Sequence, residues 1–274
     1  MRTKLLVFLS SIAALVAACG NGGGNTIDGA RADGPVADAR PIDAIQIDAR
    51  PADLACINGP LPDAPPAVPN PLVVSGSVSE LLGGDVVGAT VSAHAKANNQ
   101  QVATATSDAN AAYSLSINTN NVPFDGYLKA TFTGLLDSYT YPPAPLAADL
   151  TGADIAMISA DNLGRLALFA QATVTPGTAV VGVSVVDCAG LPVIGATVSF
   201  DTADGNTEVV YGNEATGIPD PRLTATDGSG LAIGFSVPGQ NTGTTTVTVD
   251  YQGTLFSNTF TAWPDSLIII LVAP

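Results

Sequence analysis

Residues 192–198 read Pro-Val-Ile-Gly-Ala-Thr-Val, and residues 226–230 read Thr-Asp-Gly-Ser-Gly. The first is a turn that opens a strand. A glycine takes a conformation with φ > 0, and a β-branched alternation follows it. The second is turn chemistry alone, in which an aspartate caps the bend and glycines relieve it. An upstream copy carries Gly88-Ala89-Thr90-Val91, then Ala105-Thr106-Ser107-Asp108 matching Ala225-Thr226-Asp227. Each Gly-Ala-Thr-Val follows a strand-opening glycine, Gly76 or Gly182, by about twelve residues. The chain therefore holds an internal repeat of about 100 residues, long enough for two domains rather than a solenoid.

Short alternating runs fill both copies. In the first, LVVSGSV (72–78), ATVSAHA (89–95), VATATS (102–107), AYSLSI (112–117) and YLKATF (127–132) read as strands. Turn signals separate them at Gly83-Gly84-Asp85, Asn98-Asn99, Asp108-Ala109-Asn110 and Asp125-Gly126. In the second, VGVSVVD (181–187), ATVSFDT (196–202), TEVVYG (207–212), LTATD (223–227), LAIGFSV (231–237), TTTVTVDY (244–251) and TLFSNTFTA (254–262) do the same. The expected fold is all-β, with two antiparallel β-sandwich domains over 72–158 and 175–274. Between them, SADNLGRLALFAQATV (159–174) suits an interdomain helix capped by Ser159, with Leu163, Leu166, Leu168 and Phe169 as its apolar face. DSLIIILVAP (265–274) is too short to span a membrane and suits a last, fully buried strand of the second sandwich.

The turn motifs resemble the carboxypeptidase regulatory-like domain, a transthyretin-like β-sandwich. Its pattern runs Pro-Val-x-Gly-Ala-x-Val, then Thr-Asp-x-x-Gly-x-Tyr. The first copy departs from it by placing Ala111 where the turn glycine is expected. The second copy carries an insert, YGNEATGIPDPR (211–222), and is equally similar to bacterial Ig-like domains. The resemblance covers most of 72–274 and implies a fold, not an activity.

Upstream, Arg2 and Lys4 precede an apolar run over 5–18 that ends in Val16-Ala17-Ala18-Cys19. This resembles the bacterial lipobox. The resemblance implies cleavage before Cys19, a diacylglyceryl group (palmitate or a similar acyl chain) on its sulfur, and a membrane partner reached through that lipid. Gly20 follows the cysteine, and the resemblance then favours the outer over the inner membrane. Residues 19–71 form the tether. Asp28, Asp33, Asp38, Asp43, Asp48 and Asp53 recur every fifth residue among prolines. A period of five gives no helix or strand face, so the stretch is expected to lack fixed structure. About 50 such residues span roughly 40 Å.

Net charge is −15, from nine Lys+Arg against 24 Asp+Glu, which argues against nucleic acid as a partner. His94 is the one histidine, so zinc carboxypeptidase chemistry and paired-histidine iron sites are excluded. No catalytic residue is assigned and the protein is expected not to be an enzyme. After Cys19, the cysteines are Cys56 and Cys188, which an oxidising compartment permits to pair around the whole first domain. The alternative is two independent thiols. Asp201, Asp204, Asn206 and Glu208 cluster in one stretch and could ligate calcium. The favoured alternative is an Asp-Gly turn with solvated carboxylates, leaving no cofactor. Trp263, Tyr139, Tyr141 and Tyr251 could stack on a sugar or could simply fill the core. The function expected is adhesion, partner binding or envelope structure, with a protein or glycan as the partner. The alternative is a glycan- or calcium-binding accessory module.

Overall fold

A computed structural model describes residues 51–57, 67–240 and 243–274. The signal segment, Cys19 and the tether aspartates from Asp28 to Asp48 lie outside them. The first half supplies β1 (Leu72–Glu80), β2 (Thr90–Ala95), β3 (Gln101–Thr106), β4 (Ala112–Ile117), β5 (Gly126–Thr131), β6 (Ser138–Tyr141), β7 (Leu150–Thr151) and β8 (Ile155–Met157). A helix, α1 (Ala160–Ala170), leads into the second half. There follow β9 (Thr178–Val185), β10 (Thr197–Phe200), β11 (Glu208–Gly212), β12 (Pro219–Asp220), β13 (Leu231–Pro238), β14 (Thr245–Tyr251), β15 (Thr254–Phe260) and β16 (Ser266–Val272).

The fold is all-β. In the first half β4-β1-β7, with β8 also on β1, faces β3-β2-β5-β6. Alternation decides which side chains fill the gap. On β4, Tyr113, Leu115 and Ile117 are buried against Leu72, Val74 and Val78 of β1, while Ala112, Ser114 and Ser116 face water. In the second half β10-β14-β15 packs on β9, β13 and β16 through Val198, Phe200, Val247, Val249, Val181, Val183, Ile268 and Ile270.

The halves are not separate bodies. β16 pairs in parallel with β9 along Ser266–Val272 and in parallel with β6 through Leu267–Ile270. One nine-stranded sheet, β12-β11-β13-β9-β16-β6-β5-β2-β3, therefore crosses the molecule. The strand expected to close the second sandwich is the seam between both. Its uninterrupted LIIILV (267–272) fits that position, because a strand buried on both faces needs apolar residues on both.

The repeat is reproduced hydrogen bond by hydrogen bond. The Ser107 hydroxyl donates to Val86 O at 2.7 Å and accepts from Ala89 N–H at 2.9 Å. The Thr226 hydroxyl donates to Val193 O at 2.7 Å and accepts from Ala196 N–H at 2.9 Å. Ser107 N–H bonds Ala89 O and Thr226 N–H bonds Ala196 O, each at 2.9 Å. Val78 N–H reaches Ala111 O as Val185 N–H reaches Gly230 O. Ala111, at φ 57, adopts the same left-handed conformation as Gly230, at φ 64, so the departure from the motif leaves the turn intact. Equivalent positions lie 107 apart before the insert (88 and 195) and 119 apart after it (107 and 226). The difference of twelve is the length of 211–222.

Three local expectations change. LTATD (223–227) lies in bends and loop rather than in a strand, although Thr226 makes the bonds that Ser107 makes just after β3. On α1 the buried residues are Leu163, Ala167 and Ala170, spaced four and three apart, so Leu168 stands off that face at 76% exposure, and Phe169 is exposed too. Ser159 does cap the helix, accepting from Asn162 N–H at 3.4 Å. The described end of the tether has fixed structure after all: Val68 is buried in the first core, and 51–57 docks on the second half.

Candidate functional site

The N-terminal attachment is built around Asp187. This buried carboxylate accepts Ala189 and Leu191 N–H on Oδ1, each at 2.9 Å, which shapes its own turn. Its Oδ2 accepts Asp53 N–H at 3.0 Å, and Cys188 N–H returns a bond to Asp53 O at 2.8 Å. Cys56 and Cys188 are joined by a disulfide with Cα atoms 5.7 Å apart. Ala52 N–H adds a bond to the Tyr251 hydroxyl at 3.3 Å. The chain thus arrives on the second half, then continues to β1 in the first, and the disulfide spans 132 positions around that whole first half.

The acidic loop does not gather into a cage. Asp201 Oδ1 accepts Thr246 N–H at 2.8 Å, across to β14. Asp204 Oδ1 accepts Asn206 N–H at 2.8 Å, an aspartate turn. Glu208 sits in β11, paired with Phe235 of β13. Among the described residues no three acidic, histidine or cysteine side chains form a group able to hold a metal ion.

The aromatic residues do converge, on one face of the nine-stranded sheet at the seam. Tyr139 stacks on Trp263 with centroids 5.4 Å apart, and Tyr127 stacks on Tyr141 at 4.9 Å. His94 stacks on Tyr127 at 5.3 Å, and Phe260 tilts against Tyr141 at 6.0 Å. The Trp263 indole N–H donates to the Tyr141 hydroxyl at 3.2 Å. Tyr139 and Tyr141 are buried and Tyr251 lies elsewhere, at the end of β14 against the docked segment, so these rings form the packing between the halves rather than a platform open to a sugar. Burial pushes the Tyr141 hydroxyl up to about 12, against the hydrogen bonds from Trp263 and Thr261. Burial, then the neighbouring Tyr141 and Tyr139, raises Tyr127. Burial alone lowers the Lys129 ammonium, but the Asp137 carboxylate at 2.8 Å and Tyr139 beneath it outweigh this and raise it.

His94 has its hydrogen bonds met within its own neighbourhood. Nδ1 lies 3.0 Å from Asn99 O, which can only accept, so Nδ1 carries the proton in the neutral ring. Nε2 then accepts from the Ser92 hydroxyl at 2.9 Å. Both residues are on β2, two positions apart and hence on one face. The ring serves as packing for Tyr127, held by its flanking strand and turn.

What the sequence reading missed is the opposite face of this seam. There Leu128, Thr140 and Ile269 stand in register on three adjacent strands and floor an apolar hollow. No signal in SYTYPPAP (138–145) distinguishes Thr140 from any other strand threonine, because the pairing partner of β6 lies far along the chain.

No family model matches the chain, and no curated protein matches it. Several solved structures are similar. A shaft pilin from Lactobacillus rhamnosus GG is 15% identical over 74% of this chain and 98% of that one, with a TM-score of 0.24. A streptococcal ancillary pilin is 11% identical over 74% of this chain and 62% of that one, with a TM-score of 0.23. The major pilin of Streptococcus pneumoniae is 10% identical over 76% of this chain and 49% of that one, with a TM-score of 0.21. Superpositions this loose carry no role from those proteins to this one.

Proposed function

We propose that the chain is a non-enzymatic lipoprotein that holds a two-sandwich head away from a membrane for adhesion, partner binding or envelope structure. In this reading Cys19 bears the lipid, the Asp/Ala/Pro stretch is the reach, and the two halves are carboxypeptidase regulatory-like sandwiches. Two or three acyl chains, at about 0.8 kcal/mol per buried CH₂, anchor such a protein stably. The observation that supports the reading is mechanical. The halves share one sheet through β16, and the chain arriving from the tether is clamped to that body by Asp187 and the Cys56–Cys188 bond. A rigid body fixed at one attachment point is suited to presenting surfaces.

The test is protease shaving of intact cells beside disrupted cells, with a Cys19→Ser variant as a control. Loss of the head from intact cells supports surface adhesion. Protection in intact cells with cleavage after lysis supports a periplasmic envelope role. Release of unaltered protein from membranes by buffer alone overturns the anchor, as does a Cys19→Ser variant that stays membrane-bound.

A further inference from the structure

On the face of the nine-stranded sheet turned away from the aromatic rings, a strip of four positions crosses the seam in register: Leu128 on β5, Thr140 on β6, Ile269 on β16 and Gly182 on β9. Gly182 adds no side chain to the strip, and a Cβ there would stand 3.0 Å from Ile269 Cδ1. Phe124, Leu146, Leu150 and Leu271 wall the remaining space, a hollow of about 80 Å³ that opens to solvent. Both halves contribute to it, so it exists only because β16 joins them.

Thr140 is the anomaly in this hollow. It is 7% exposed, and its hydroxyl is the one buried side-chain polar atom among the described residues that has no hydrogen-bond partner. Such a group costs free energy unless something satisfies it, and native structures leave few of them. The register places its side chain on the same face as Leu128 and Ile269, both of which line the hollow. A threonine hydroxyl turns about χ1 and can donate or accept. No charged side chain lines the space, and the molecule carries a net charge of −15, so an anionic ligand would find no counter-ion there.

We propose that this hollow binds a slender, neutral alkyl molecule carrying one oxygen function, such as an alcohol, ketone or ester. Its chain lies along the Leu128–Ile269 strip, and its oxygen meets the Thr140 hydroxyl once the side chain turns about χ1 to bring the covered oxygen to the hollow. The site is independent of the membrane-anchor reading.

The experiment uses the full chain carrying Cys19→Ser, in buffer free of detergent and lipid so that neither competes for the probes, and follows the thermal midpoint against ligand concentration. The probes are 1-hexanol, 1-chlorohexane (no hydroxyl) and hexanoate (charged). 1-Hexanol is expected to raise the midpoint saturably, 1-chlorohexane more weakly, and hexanoate not at all. Thr140→Val, close to isosteric, is expected to fold, to weaken 1-hexanol about three- to tenfold as one neutral hydrogen bond requires, and to leave 1-chlorohexane within about twofold. Absence of saturable binding by 1-hexanol overturns the site. Equal weakening of both neutral probes by Thr140→Val overturns the role of the hydroxyl, and hexanoate binding as tightly as 1-hexanol overturns the neutral class.

Discussion

Ile268 stands directly opposite Tyr139 in a parallel ladder, although one closes the second sandwich and the other belongs to the first. Around this pair the first half contributes to the second half's core: Ile268 is fully buried in one cluster with Tyr127, Tyr139 and Tyr141 from the first half and Val181 and Phe260 from the second. Ile268→Ala is expected to cost about 2–5 kcal/mol, the usual range for truncating a buried isoleucine. The loss should fall on both halves at once. Urea unfolding followed by Trp263 fluorescence, which reports the seam, and by far-UV circular dichroism should give coincident transitions that shift together. A first half that keeps its stability while the second melts would show that the shared sheet does not couple them.

The duplicated turns differ in one residue that the backbone conformation makes informative. At Gly230 an added Cβ would lie 2.6 Å from Val185 O and 2.9 Å from Pro192 Cβ, in a residue already at φ 64. Gly230→Ala therefore meets backbone as well as a left-handed penalty of roughly 1–2 kcal/mol, and is expected to destabilise by more than about 2 kcal/mol. Ala111→Gly relieves the same penalty but loses a buried methyl and stiffens nothing, so it should change stability by less than about 1 kcal/mol. Chemical denaturation of the two variants side by side decides this, and equal effects would contradict the steric account.

The Cys56–Cys188 bond closes a loop containing the first half, and in the chain-entropy model a loop that long contributes roughly 4–5 kcal/mol. A Cys56→Ser, Cys188→Ser double variant should lose a large part of that and open residues 51–57 to proteolysis, since only the bonds around Asp187, the Ala52–Tyr251 bond and the packing of Ala52 and Leu54 then hold them. Intact mass after alkylation, with and without reductant, reports the bond itself. Identical masses in the two samples would remove it from the native protein.

Alkali should unfold this protein earlier than acid-base behaviour of exposed tyrosines predicts. A tyrosine whose folded pKa lies above its unfolded value contributes stability that is complete below pH 10 and is lost as pH climbs through the folded value. For Tyr141, raised from 10.0 to about 12, the loss amounts to about 2–3 kcal/mol over that interval. Tyr127, Tyr139 and Tyr113 are raised in the same direction, chiefly by burial. Lys129 adds to the trend, because its raised value also withdraws stability as pH rises. Urea midpoints at pH 8, 10 and 11 should fall steadily, with Tyr141→Phe falling less. A flat profile would mean that the rings are open to water.

Legibility followed the range of the interaction. AYSLSI could be assigned as a half-buried strand because alternation is carried by neighbours in sequence, and its burial alternates residue by residue. Ser159 could be assigned as a helix cap for the same reason, whereas Leu168 was misjudged because hydrophobicity alone does not fix the phase of an eleven-residue helix. LTATD and VATATS carry the same alternation and end in the same pair of hydroxyl bonds, yet VATATS forms β3 beside β2 while LTATD, following the 211–222 insert, lies in bends and loop. In the stretch holding Asp201, Asp204, Asn206 and Glu208, where an Asp-Gly turn is favoured over a calcium site, Asp204 closes a local aspartate turn, but Asp201 bonds Thr246, forty-five positions on.

The sequence by itself determined the all-β class, the twofold repeat and the turns that open it, since glycines, capping aspartates and period-two alternation act over a few residues. Only the tertiary structure decided that β16 joins both halves, that the aromatic residues are packing, and that Thr140 lies over an apolar hollow. Those outcomes depend on which strands lie side by side across more than a hundred positions. A period-two pattern is identical for every partner that offers a matching face, so the pattern makes a strand but does not choose its neighbour.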